Sequence, residues 1–259
     1  MKIKKLLKKN KGIVYVVIFA LLIAAGLFLK YQKNIVPGVI TDTPLEEAPI
    51  ETVTPISIKS VNIKEENFSG KKPIITGSSK LAMISQAYID GSVDEFRKQA
   101  NIDVPDMREK FGADAPPAHY TIEIEAKEVT GPQTDSIVIS LYLYTGGANG
   151  NSLYKVITAS KETGEILSLS QVIQKDKQAA FTTLVKKELN TWKPNGSEGP
   201  VVFPEEVKNL TFGSFSNWSL DSKNLIIYFS KYEVGPGVLG PVAFPISLSK
   251  LKGFLNSSF

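Results

Sequence analysis

The chain has no cysteine, a single histidine (His119), three methionines and two tryptophans in 259 residues. The missing thiols exclude disulfides, thiolate nucleophiles, lipid attachment through cysteine and cysteine-based metal centres. With one imidazole a histidine-rich zinc site is excluded, and any Ser-His-Asp triad would have to pass through His119. No GxSxG surrounds a serine, and the phosphate-loop spacing GxxxxGK[ST] is missing. A chain without disulfides must be held by core burial alone, which about 200 residues can supply.

Acid is missing from residues 1–33, which carry eight lysines, whereas the remaining 22 basic and 26 acidic side chains leave the rest mildly acidic. Nucleic-acid binding would need a basic stripe on the folded part, so no nucleic-acid partner is expected. The run from Gly12 to Leu29 has no charge at all. As a helix its 18 residues would span about 27 Å, close to the ~30 Å hydrocarbon core of a bilayer. Six lysines before it and two after place the N-terminus in the cytoplasm and the remainder outside. The pattern predicts a transmembrane signal-anchor over residues 12–30, with the lipid bilayer as its partner and a single-pass cell-membrane location. A cleaved signal peptide is the alternative, though its apolar part is ordinarily shorter. Residues 1–11 read as a short basic tail. Residues 31–55, with four prolines, read as a linker.

Beyond the linker the pattern alternates between strand and helix signals. Ile56–Ile63 reads as a first strand, and Pro73–Thr76 as a short edge strand. A serine cap at 78–79 opens a helix reaching about residue 100, followed by a long loop over 101–118, a candidate flap. Tyr120–Lys127 alternates cleanly, Ser136–Tyr144 is apolar on both faces, and Leu153–Ala159 follows, a three-strand antiparallel meander. A turn at 161–165 leads to a short strand over 166–169. Then come a short helix near Ser170 and a longer one from about Asp176, striped by Phe181, Leu184, Val185 and Leu189. Leu210–Trp218 and Leu225–Ser230 read as a hairpin, and Val242–Ile246 as a last strand. The predicted class is α+β: an antiparallel sheet with helices packed on it, preceded by one N-terminal transmembrane helix. Residues 56–169 and 170–259 read as two parts of one unit.

Two loops stand out. Tyr144-Thr-Gly-Gly-Ala-Asn-Gly150 is followed by a strand, not by the helix N-terminus that a phosphate cradle requires. It is a strand–loop–strand corner in which Gly146, Gly147 and Gly150 permit positive φ or close backbone passage. The second runs from Tyr228 through Tyr232 and Glu233 to a Gly/Pro stretch with Gly235 and Gly240. Tyrosines at strand ends offer rigid contact area with a hydroxyl handle. The predicted binding surface is Tyr144, Asn149, Asn151, Tyr232 and Glu233, with no catalytic residue, metal or cofactor. Glu123 and Glu125, i and i+2 on a polar strand face, read as solvated carboxylates, and His119 reads as a loop residue.

The glycine loop "YTGGANGN", the "TGE" turn and the run "YFSKYEVGPGVLGP" together resemble the paired extracytoplasmic domains of lysozyme-responsive anti-sigma factors and of certain peptidoglycan deacetylases. The likeness spans roughly residues 56–255. Asn149 stands where that family commonly has histidine, and Gly235-Pro-Gly where Ala-Pro-Tyr is usual. The sequence reads as that pair without the sigma-gripping segment or the metal-binding deacetylase domain of those proteins. The resemblance therefore implies the sensing part alone: a membrane-anchored, non-catalytic domain recognising an extracellular protein or peptidoglycan. The alternatives are a wall-glycan hydrolase or deacetylase-associated module, and an envelope assembly protein.

Overall fold

A computed structural model describes residues 54–112, 119–194, 197–199 and 201–259. Five strands, β1 (Ser57–Lys64), β2 (Phe68–Thr76), β3 (Tyr120–Thr130), β4 (Thr134–Tyr144) and β5 (Asn151–Ser160), form a sheet in that order. Helix α1 (Lys80–Phe111) crosses from β2 to β3 and packs on one sheet face. Short helices α2 (Leu169–Val172) and α4 (Pro204–Asn209) and the longer α3 (Gln178–Thr191) accompany a second sheet, β6 (Trp218–Leu220), β7 (Asn224–Phe229) and β8 (Val242–Ser247). The architecture is α+β.

The expectation of a wholly antiparallel sheet needs correcting. β2 and β3 run parallel, Phe68–Lys71 against Tyr120–Glu123, because a helix rather than a hairpin joins them. Gly70 makes that pairing possible: a Cβ there would lie 2.7 Å from the carbonyl carbon of Ile122. β2 is also no short edge strand. It runs from Phe68 and pairs with β1 along its whole length, while its contact with β3 ends at Lys71. Pro73, which has no N–H to give, falls where β2 keeps only the one neighbour. Just beyond, the Ile75 N–H donates to the Gln86 Oε1 of α1 at 2.6 Å.

The loop expected over 101–118 is helical as far as Phe111, with Pro105 inside the helix. Residues 113–118 lie outside the described residues. Tertiary bonds outweigh the lost i→i−4 bond at the proline. Val104 is fully buried, Asp103 accepts from the Tyr120 hydroxyl at 3.0 Å, and Arg108 donates to Asn67 Oδ1 at 3.1 Å. Ser79 caps the start, its side chain accepting from the Ala82 N–H. The strand expected over 166–169 shrinks to a single bridge, Ala159–Ile166. Within 210–217, Phe212–Phe215 form a 3-10 turn ahead of β6.

The membrane-spanning helix expected over 12–30 falls outside the described residues. Among the described residues no helix is long and apolar enough to cross a membrane. Helix α1 has the length, but it is amphipathic: Asp94, Glu95, Arg97 and Lys98 lie outward while Val93, Phe96 and Ala100 are buried. The membrane-anchored reading, with its bilayer partner, signal-anchor and single-pass location, is corrected accordingly.

Two apolar cores result. Phe68, Ile89, Phe96, Ile122, Ile124, Ile137 and Ile139 lie between the first sheet and α1. Phe181, Val185, Leu189, Phe215, Trp218, Ile227 and Phe229 lie around the second sheet and α3. Val138, Val156 and Tyr228 form a small third cluster where the sheets meet.

Candidate functional site

The two loops singled out in the sequence meet in space. Lys231 carries the junction: its N–H donates to the Ser152 carbonyl at 2.9 Å and its Nζ to the Gly150 carbonyl at 2.8 Å. Next to it, the Tyr154 N–H donates to the Ser230 hydroxyl at 3.2 Å. The outer edge of β5 therefore binds the stretch that opens the second loop, and the 144–151 corner lies beside the 230–240 loop.

Within the first loop, the Tyr144 hydroxyl donates to the Gly147 carbonyl at 3.1 Å, closing the corner on itself. Asn149 is exposed near the tip. Asn151 is half-buried, and its Oδ1 accepts from the Ser152 N–H at 3.0 Å, so its side chain fixes the loop exit. Gly146 and Gly147 have φ of 99° and 90°, values that favour glycine. Gly150 has another role. A Cβ there would lie 2.5 Å from Tyr142 Cζ, so the ring of Tyr142 rests against bare backbone.

In the second loop Tyr232 is the only non-glycine with positive φ among the described residues, at 72°. It is 58% exposed, and the Lys231 Nζ lies 5.0 Å from its ring centroid. Glu233 makes the turn: its N–H donates to the Ser230 carbonyl at 3.1 Å, and its Oε2 accepts from the Ser230 N–H at 2.7 Å. Close packing of neighbouring atoms raises the Glu233 pKa, and the Ser230 N–H offsets part of that. The residue still meets solvent, which damps the effect. Gly237 repeats the device of Gly150, since a Cβ there would lie 2.6 Å from Tyr232 Cζ. Gly235 is buried against the Val201 carbonyl and Leu239, and Gly240 has a φ of 71°.

The site thus contains two tyrosine rings seated on glycines, Tyr142 on Gly150 and Tyr232 on Gly237. Tyr142, Lys231, Ser230 and Gly237 were not among the predicted site residues. The signal for Tyr142 was present in the i, i+2 relation of Tyr142 and Tyr144 on β4. Registers along β3 and β4 set Tyr144 opposite Thr121 and Tyr142 opposite Glu123, on the polar face of the first sheet. Glu125, on that face, pairs with Lys71 at 2.9 Å. His119 and Glu123 line an open cleft of about 510 Å³ with Lys64, Ser69, Lys71 and Thr121. Among the described residues no group of three or more acidic or histidine side chains could hold a metal ion.

Residues 170–249 match the family described as "Protein of unknown function (DUF3298)". The peptidoglycan-N-acetylmuramic acid deacetylase PdaC of Bacillus subtilis (strain 168) is 22% identical over 202 residues, 76% of this chain. The chain spans 40% of that relative's length. A solved member of the DUF3298 family from Bacteroides fragilis superposes with a TM-score of 0.52 at 16% identity, over 78% of this chain and 94% of the other. A DUF3298 family protein from Pseudomonas aeruginosa PAO1 gives 0.52 at 14% identity, over 80% and 96%. At these identities the two structures show a shared fold and nothing more. The resemblance drawn from the loop residues stands on these matches.

Proposed function

We propose that the described unit is a non-catalytic, extracytoplasmic recognition domain that binds cell-wall glycan through the joined 144–151 and 230–240 loops. The observation that carries this reading is the pair of tyrosine rings, each laid against a glycine and each substantially exposed, Tyr142 at 39% and Tyr232 at 58%. A sugar ring has an apolar face of C–H bonds and an equator of hydroxyls. It suits a rigid aromatic plane bordered by polar groups, and a ring already fixed by its glycine loses little entropy on contact. Asn149, Lys231 and Glu233 supply the polar border. The similarity to a protein named for its action on peptidoglycan supports the choice of glycan and of the cell envelope.

Co-sedimentation with purified wall sacculi tests the reading. Wild-type chain should pellet with sacculi, and the double variant Tyr232→Ala, Asn149→Ala should bind at least tenfold more weakly with an unchanged unfolding midpoint. Equal pelleting of the two would refute the surface. Capture of an envelope protein in place of sacculi would turn the reading toward a protein ligand. Release of reducing ends or of acetate from the sacculi would show catalysis.

A further inference from the structure

The first sheet has one face covered by α1 and, toward β4 and β5, the other face covered by the second sheet, with Val138 and Val156 against Tyr228. Over β1, β2 and the first part of β3 no described element packs on the second face, whereas the far end of β3, at Val129, joins the cluster under the second sheet. Cross-strand registers turn that face into two rows. One row reads Lys64, Ser69, Thr121, Tyr144; the other reads Asn62, Lys71, Glu123, Tyr142, Ser152. Both rows end at the tyrosine loops, and both begin in the cleft of about 510 Å³. That volume lies in the range of small-ligand sites. Three inter-strand steps of about 4.8 Å separate Lys64 from Tyr144, roughly 14 Å in all. A chain-like ligand can therefore touch both ends.

Ion pairing determines the charge this surface offers. Glu65 is held by Arg97 at 2.9 Å and Glu125 by Lys71 at 2.9 Å. Lys64 has no ion-pair partner among the described residues; Ser69 is its register partner on β2, and Thr121 and His119 line the same cleft. Glu123 lies one row and two strands away from Lys64. The first row accordingly ends in an ammonium unpaired among the described residues and next to the Ser69 hydroxyl, a setting for a carboxylate.

We infer that the cleft is the far subsite of the glycan surface and takes a carboxylate-bearing sugar, whose acid group meets Lys64 while neighbouring units lie toward Tyr144 and Tyr142. This rests on the glycan reading above, but the acid-selecting group, Lys64, lies outside the tyrosine loops, so the two can fail separately. Calorimetric titration of the full chain should use two soluble probes, N-acetylglucosaminyl-N-acetylmuramic acid and the neutral disaccharide of N-acetylglucosamine. The acidic probe should bind about tenfold tighter. Lys64→Gln should remove that difference without touching affinity for the neutral probe, and Lys64→Arg should restore it. Tyr142→Ala should weaken both probes alike. Equal affinities of wild type for the two probes, or a Lys64→Gln variant that keeps the preference, would overturn the acidic subsite and leave the tyrosine surface standing. Loss at Lys64→Gln with no effect of Tyr142→Ala or Tyr232→Ala would keep the cleft and reject the tyrosine surface. Binding of neither probe would reject both.

Discussion

Tyr232 holds a backbone conformation that costs an L-residue about 1–2 kcal/mol over glycine, yet its neighbours leave it no alternative. The Ser230–Glu233 turn fixes the chain, and the ring lies against Gly237, where any side chain would collide with it. Such strain at a ring that is more than half exposed fits the recognition role proposed above. Tyr232→Gly separates the two roles. It should leave stability unchanged or raise it by up to about 1 kcal/mol, the relieved strain being partly offset by the lost contact with Lys231. Sacculus binding should fall. A variant destabilised by more than about 1 kcal/mol that still pellets with sacculi would make the tyrosine a structural residue. At this scale the sequence identified Tyr232 and Glu233 as special by their setting between a strand end and a Gly/Pro loop. It could not identify Lys231, whose Nζ bonds a carbonyl 81 residues earlier, because nothing local marks a lysine that closes two loops.

Among the elements, the β6–β7 hairpin shows a turn built by one side chain. Asp221 Oδ1 accepts from the N–H groups of Lys223 and Asn224, each at 2.6 Å, so the carboxylate takes the place of a backbone turn. Partial burial works to raise its pKa. The two N–H donors, the Asn224 amide and the charge of Lys223 outweigh that and hold it below the ordinary value. A carboxyl with a depressed folded pKa adds stability above its unfolded pKa, near 3.9, and loses it as pH falls through the folded value. Asp221→Asn keeps the acceptor oxygen and removes the titration. Wild type should therefore be the more stable at pH 6, and the gap in Tm should close below about pH 4. A gap that stays constant from pH 6 to pH 3 would contradict the carboxylate's role. This turn was legible as Asp-Ser-Lys-Asn between two apolar runs. The second half of α1 was not, because Pro105 and the scattered charges of 101–111 are loop signals. Contacts from Val104, Asp103 and Arg108 to distant strands override them.

For the whole molecule, the question is what keeps the outer edge of β5 from remaining a row of free donors and acceptors. The structure clothes it with pieces of different kinds. The Ser160 N–H donates to the Glu165 carbonyl, and the Thr158 carbonyl accepts from the Leu167 N–H. The Asn217 side chain then imitates a strand, accepting from the Val156 N–H at 3.0 Å and donating to the Tyr154 carbonyl at 3.2 Å. Ser230 and Lys231 complete the edge and deliver the second loop to the first. The same seam that joins the two cores thus builds the site. No local pattern could announce the Asn217, Ser230 and Lys231 bonds, since their partners are 61 to 81 residues apart, just as none could announce the parallel pairing of β2 with β3. Asn217→Ala would leave a buried-edge donor and acceptor unpaired, a loss of about 1–3 kcal/mol. If the seam couples the cores, wild type should unfold in one transition, and the variant in one transition at a lower midpoint or in two. Sacculus binding by the folded variant should weaken, because the 230–240 loop loses part of its register against β5. Two separate transitions in wild type, or an unchanged midpoint in the variant, would mean that each core stands alone and that Lys231 by itself brings the loops together.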